Sequence, residues 1–267
     1  MQVDIVGRQE ATAPTLVLAS GLGGVAGFWQ PQLAALAARY RVVLYDQRGT
    51  GRSAAPLPAD YSLAMMAAEL AQALAQRGIM RVGVIGHALG GLIGLQLALD
   101  YPERVERVAV INGWLRLHPH TQRCFQVRQD LLLNSGVEAF VRAQPLFLYP
   151  AAWMAQHQAR LTEEEAAHLA HFQGRDNLLR RLQALMRADF TARAARITQP
   201  VLAIYSQDDL LVPWCCSVAL AEALPNAQQM AMAWGGHAMS VTDADGFNRL
   251  LLQWLNQHDA APSRAAS

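Results

Sequence analysis

Three short stretches of this chain place reactive residue types where a strand hands over to a loop. The first is Gly86-His87-Ala88-Leu89-Gly90, directly after the apolar run Val82-Gly83-Val84-Ile85. Glycines on either side of a central residue describe a tight strand-to-helix turn that lifts one side chain above a sheet. A Cβ at either glycine would collide with the neighbouring strand and helix. Serine in the middle would be a nucleophile; this chain carries Ala88. The second stretch is the adjacent pair Asp208 and Asp209, and the third is Gly235-Gly236-His237. Of eight histidines, only His237 combines strand-end placement with glycines that let the backbone bend sharply and swing the ring over the sheet edge. A carboxylate on one imidazole nitrogen orients the ring and stabilises its protonated form, leaving the other nitrogen for acid–base work. With a methyl group at position 88, the space a hydroxyl would fill suits about one water. Such a set is expected to use water directly, to protonate a leaving amine, or to do no chemistry.

Groups of this kind need a rigid platform. Apolar runs at 16–19, 42–45, 82–85, 108–111, 201–205 and 229–233 read as strands, and helical patterns fill 29–39, 63–76, 91–100, 217–223 and 244–257. The alternation predicts an α/β fold, a mostly parallel sheet flanked by helices. The strands read as continuous apolar runs, as strands buried on both faces do. Residues 115–196 break the rhythm, with helical patterns and no strand-like run. The expected organisation is a core in two parts, 1–114 and 197–258, a helical insertion at 115–196, and a small, polar, flexible tail at 259–267.

Composition narrows the chemistry. A chain of 267 residues, 52% hydrophobic, can bury one large core or a core with a small lobe. A net charge of +1 with 16% charged residues points to neither nucleic acid nor a membrane surface. All 22 basic residues are arginine, which excludes lysine Schiff bases and pyridoxal phosphate held by an internal lysine. No cofactor is expected. Cys124, Cys215 and Cys216 form neither a disulfide framework nor a metal-ligand spacing and fit a reducing cytoplasm. His118/His120 and His168/His171 have spacings a metal could use, but no metal site is expected there. The start Met1-Gln2-Val3-Asp4 lacks a signal-peptide pattern, and no apolar run reaches the roughly 18 residues a membrane span needs. A cytoplasmic location is therefore expected. The insertion holds eleven arginines against seven acidic residues. A basic lid would favour a small anionic molecule, although solvated helix faces are the plainer reading for most of these arginines. A homodimer is left open.

From Thr15 to about His258 the chain resembles the α/β-hydrolase superfamily and, more narrowly, the pyrimidine-utilisation D group of bacterial uracil breakdown. The matching segments are Ser20-Gly21-Leu22-Gly23-Gly24, Tyr45-Asp46-Gln47-Arg48-Gly49-Thr50-Gly51, the Ala88 turn, Gln144-Pro145-Leu146-Phe147-Leu148-Tyr149-Pro150, His171-Phe172-Gln173-Gly174 and Gly235-Gly236-His237. The resemblance implies the chain order nucleophile, acid, histidine. Its Asp-x-x-Val-Pro pattern falls on Asp209-Leu210-Leu211-Val212-Pro213, which selects Asp209 over Asp208 as the partner of His237 and leaves Ala88 at a vacant nucleophile position. It also implies an oxyanion hole from the backbone N–H groups of Leu22 and Leu89. Family members often carry histidine where this chain has Ser20, so that buttress of the loop is missing here. Residues 115–196 would be a helical cap inserted after the sixth strand of the superfamily fold, and an Asp and an Arg of Asp46-Gln47-Arg48-Gly49-Thr50-Gly51-Arg52-Ser53 would brace a turn. His87 is expected to pack beneath the elbow. Some of Phe28, Trp29, Trp114, Phe147, Tyr149 and Trp153 should wall the pocket. The narrower group also reads alanine at the elbow, which favours a native Ala88 over an engineered replacement of serine.

The implied activity is hydrolysis of a small carbon–nitrogen compound in pyrimidine catabolism, carbamate going to ammonia and carbon dioxide through a His–Asp dyad and water. Three alternatives stand beside it. One is aminoacrylate hydrolysis to malonic semialdehyde. Another is a non-hydrolytic dyad enzyme, a cofactor-independent oxygenase or lyase. The third is a binding module without catalysis, against which the retained dyad and oxyanion loop argue.

Overall fold

The computed structural model describes residues 1–10 and 12–259. Its sheet has seven strands, β1 Val3–Gly7, β2 Thr15–Ala19, β3 Arg41–Tyr45, β4 Val82–His87, β5 Val105–Ile111, β6 Val201–Ser206 and β7 Ala227–Met232, in the order β1-β3-β2-β4-β5-β6-β7. All neighbours are parallel except β1, which runs antiparallel to β3. The six expected strands are present. The last begins and ends earlier than expected and is half exposed, because it forms the sheet edge. β1 was not foreseen; its polar Asp4 and partial exposure suit the other edge.

Side chains alternate between the two faces of each strand, and each face meets its own helices. Val17 and Val43 face α2 (Leu63–Ala75) and α3 (Leu89–Asp100) in one apolar cluster. Leu16, Leu18, Val42 and Leu44 face Leu36 of α1 (Gln30–Ala37) and Trp254 in a second. Each fully buried leucine contributes about 1.5–3 kcal/mol relative to exposure. Ser62 caps α2, its Oγ accepting the Met65 N–H at 3.3 Å and satisfying one of the helix's free donors.

Between β5 and β6 the chain is helical, with α4 Pro119–Asp130, α5 Val137–Leu148, α6 Ala151–Gln156, α7 Gln158–Ala170 and α8 Arg175–Met186. Its two ends are tied together, Phe190 N–H donating to Leu115 O at 2.9 Å and Arg116 bridging to Asp189. The segment has a small apolar cluster of its own, Leu132, Phe140, Val141 and Leu178, against which Leu22 of the core packs. The eleven arginines do not form a basic lining: seven are exposed, Arg180 and Arg193 are half-buried, and only Arg128 and Arg181 are buried.

The chain returns through α9 (Trp214–Ala223), α10 (Met239–Thr242) and α11 (Ala244–Asp259). Asp259, placed in the tail by sequence, instead ends α11 and closes the core, taking hydrogen bonds of 2.5 Å from Arg107 Nη2 and Tyr40 Oη. The rest of the expected tail, 260–267, lies outside the described residues. Among those described, no helix is long and apolar enough to cross a membrane.

Candidate active site

Ala88 stands where β4 turns into α3, with φ 46° and ψ −111°. A non-glycine residue held there stores about 1–3 kcal/mol of backbone strain. The flanking glycines are sterically required: a Cβ on Gly86 would lie 2.3 Å from Gly90 C, and one on Gly90 would lie 1.9 Å from Ala19 O. The Ala88 N–H anchors the turn to Ile111 O at 2.8 Å. The fold thus builds a strained strand-to-helix turn and sets on it an alanine that is 6% exposed.

His237 follows β7 on the turn of Gly235 (φ 127°) and Gly236 (φ 68°). Its Nδ1–H donates to Asp209 Oδ2 at 2.8 Å, and both side chains are buried. A carboxylate only accepts, so Nδ1 carries the proton of this bond and Nε2 is left available to take or give another. None of the described residues bonds to Nε2. The other oxygen of Asp209 accepts the N–H groups of Leu211 at 2.8 Å and Val212 at 2.9 Å, which stops the carboxylate from turning. Asp208 serves the same histidine differently, accepting from Gly236 N–H at 2.9 Å, Gly235 N–H at 3.3 Å and Ser206 Oγ at 2.6 Å.

The backbone of His237 is held from below. Its carbonyl accepts Asn112 Nδ2 at 2.7 Å and His87 Nε2 at 2.8 Å. Asn112 has φ 50°, a conformation asparagine tolerates better than most residues, and its Oδ1 takes the Ser206 N–H. His87 packs beneath the elbow, its ring 4.7 Å from those of both Phe28 and His237. Burial, followed by the His237 charge, pushes the His87 pKa down to about 3, so it is a neutral strut.

The N–H groups of Leu22 and Leu89 find no acceptor among the described residues. The loop bearing Leu22 has no histidine at position 20 to support it, and two other groups do that work. Gln47 Nε2 donates to Ser20 O at 2.6 Å. Arg181, reaching in from α8, donates through Nη2 to Gln47 Oε1 at 2.6 Å and to Leu22 O at 3.2 Å. Neither Gln47 nor Arg181 was singled out by sequence, nor were Asn112 and the role of Asp208. Asp46 braces its loop as expected, accepting Ala26 N–H at 2.8 Å and Arg52 N–H at 2.9 Å. Of the loop's two arginines, Arg52 is its partner, while Arg48 pairs with Glu69.

Of the paired histidines, His118, His120 and His171 have hydrogen-bond partners within the protein. His120 Nε2 donates to Leu210 O at 2.6 Å and Thr121 Oγ1 to Leu211 O at 2.9 Å, so the start of α4 holds the loop that carries Asp209. Among the described residues, no three His, Cys, Asp or Glu side chains gather as metal ligands.

The fold that brings these groups together is matched among known proteins. The model of the α/β-hydrolase fold family matches residues 14–244. The chain is 57% identical over 264 residues to the RutD protein of Serratia proteamaculans (strain 568), provisionally named a carbamate hydrolase, with 99% of each chain covered. It is 54% identical over 267 residues to the protein of the same name in Pantoea ananatis (strain LMG 20103), covering 100% of this chain and 97% of the other. Among solved structures, the enol-lactonase from Burkholderia xenovorans LB400 superposes with a TM-score of 0.87 at 26% identity, covering 96% of both chains. The chain belongs to the α/β-hydrolase family and, within it, to the RutD proteins.

Proposed function

We propose that this protein breaks carbamate down to ammonia and carbon dioxide in pyrimidine catabolism, using the His237–Asp209 dyad and no covalent serine intermediate. The observation that carries the reading is the buried 2.8 Å contact between His237 Nδ1 and Asp209, beside an elbow whose central residue has no nucleophilic atom. The name given to the RutD relatives supplies the substrate.

The reaction suits these parts. Carbamate falls apart once its nitrogen is protonated: the nitrogen lone pair takes the proton, the C–N bond breaks with its electrons going to nitrogen, and carbon dioxide leaves. His237 delivers the proton from Nε2 and recovers one from water, so each turnover consumes a proton. Asp209 stabilises the imidazolium and fixes its orientation. The Leu22 and Leu89 N–H groups hold the carboxylate so that the nitrogen faces the ring; their contribution is positioning, because negative charge leaves the oxygens as carbon dioxide forms. Carbamate also decays unaided, and the roughly 10²–10⁴-fold supplied by a placed acid is a sufficient acceleration.

The test is direct. Carbamate is mixed with the protein and its decay followed by ¹³C NMR or by ammonia release. The rate should rise in proportion to enzyme concentration, and a rate equal to that in buffer contradicts the proposal.

A further inference from the structure

The insertion's two buried arginines differ in what they hold. Arg181 is committed to the protein, with Nη2 on Leu22 O and Gln47 Oε1 and Nη1 on Arg48 O. Arg128, on α4, is 5% exposed, and its one hydrogen bond among the described residues runs from Nη2 to Gln144 Oε1. Its Nε is buried without a partner. No carboxylate among the described residues pairs with it. Three aromatic rings surround it instead, with Cζ 5.6 Å from the centroids of Phe140 and Phe147 and 5.7 Å from that of Phe125.

Such a site is expensive to maintain. Burying an ion carries a large desolvation cost, and the ring faces return only part of it. Burial pushes the Arg128 pKa down to about 10, which leaves it charged at neutral pH. A desolvated cation with unused donors is a binding site for an anion.

Its neighbours connect it to the dyad. Phe147 precedes Leu148, whose carbonyl accepts the Ala238 N–H at 2.9 Å, next to His237. Phe140 belongs to the cluster against which Leu22 packs. Cys124, one helical turn before Arg128, has its Sγ 4.0 Å from the carbonyl oxygen of Leu210, the residue after Asp209. The ring-lined arginine is therefore linked through Phe147 and Leu148 to the turn that carries His237, and through Phe140 to the cluster on which Leu22 packs.

We propose that Arg128 is the residue by which this pocket recognises a small carboxylate or carbamate anion and rejects neutral amides of the same shape. This rests on reading the space over Ala88 as the substrate site. The rings of Phe125, Phe140 and Phe147 keep water off the guanidinium and strengthen its pairing with the incoming anion.

Calorimetric titration of the whole protein with acetate and with acetamide tests this, alongside Arg128→Met and Arg128→Lys. Wild type should bind acetate saturably and acetamide about ten-fold or more weakly. The methionine variant should lose about ten-fold or more in acetate affinity while acetamide is unchanged. Its melting temperature without ligand should stay level or rise, since an uncompensated buried charge is gone, and acetate should no longer raise it. Arg128→Lys, which keeps the charge, should retain a preference for acetate at weakened affinity. Equal binding of acetate and acetamide by wild type overturns the proposal, as does undiminished acetate binding in either variant. The carbamate reading fails separately: wild type that binds acetate through Arg128 yet leaves carbamate decay unchanged contradicts that reading and supports this one. Accelerated decay with the same KM in Arg128→Met overturns only the assignment of Arg128.

Discussion

Asp209 holds the ring of His237 at 2.8 Å, while its neighbour Asp208 holds the backbone of the turn before that ring through Gly235 and Gly236. Two adjacent carboxylates thus fix one histidine at two points, one setting where the ring sits and the other how it is oriented. Substitutions at the two positions should therefore differ in kind.

Asp208→Ala removes the acceptor for both glycine N–H groups and leaves them unsatisfied, at about 1–3 kcal/mol. The melting temperature should fall, and turnover should fall with it as the turn relaxes. Asp208→Asn keeps an acceptor oxygen and should be mild on both counts. Thermal melts paired with initial rates check this. A wild-type rate and melting point for Asp208→Ala would contradict the assigned role.

Ala88→Ser would place a hydroxyl on the strained elbow beside an intact dyad. The variant should hydrolyse p-nitrophenyl acetate above the wild-type background, by about 10²-fold or more if general-base assistance is intact. A variant that melts like wild type yet stays inert would mean that the elbow and dyad are out of register.

Arg181→Met should loosen the Leu22 loop, because Gln47 Oε1 and Leu22 O lose their buried donor. About 1–3 kcal/mol of stability should go with each acceptor left bare. The double variant Arg181→Met/Gln47→Ala should show less than the sum of the single effects, as expected for residues in one network. Strict additivity would show that the two act independently.

Stability should also depend on pH through His87. Its folded-state pKa is pushed down to about 3 from 6.5, so the unfolded chain binds the extra proton first as pH falls. The stabilising contribution of neutral His87 is complete above about pH 6.5 and is lost toward pH 3, with a slope of up to about 1.4 kcal/mol per pH unit. His87→Gln, which cannot titrate, should flatten the melting-temperature profile between those limits. An unchanged profile would assign the acid sensitivity to other groups.

Much of this site is legible in the residues themselves. β4 and β6 announce themselves as apolar runs because both of their faces are covered, and Gly86 and Gly90 mark the elbow because no Cβ fits there. His237 follows from its glycines. β1 is hidden because an antiparallel edge strand with one neighbour needs no apolar run; of Val3–Gly7, only Val3 is buried. Asp208 and Asp209 look alike locally; the family's Asp-x-x-Val-Pro pattern singles out Asp209, which meets the ring, whereas the hold of Asp208 on Gly235 and Gly236 depends on the path of the folded chain. The Arg181 strut joins residues 134 and 159 positions apart, a separation that no local period encodes. Counting arginines in 115–196 finds a charge excess without its direction, and most of that charge points to solvent.

The central claim is that His237, oriented by Asp209, moves the proton that breaks carbamate. The most direct measurement is the rate of carbamate decay at neutral pH with wild type, His237→Ala and Asp209→Asn at equal, folded concentrations. Wild type should accelerate decay. His237→Ala should return the rate to that of buffer, and Asp209→Asn should remove most of the acceleration, since the ring loses its orienting carboxylate. If His237→Ala accelerates decay as well as wild type, the dyad is not the catalytic device and the account fails.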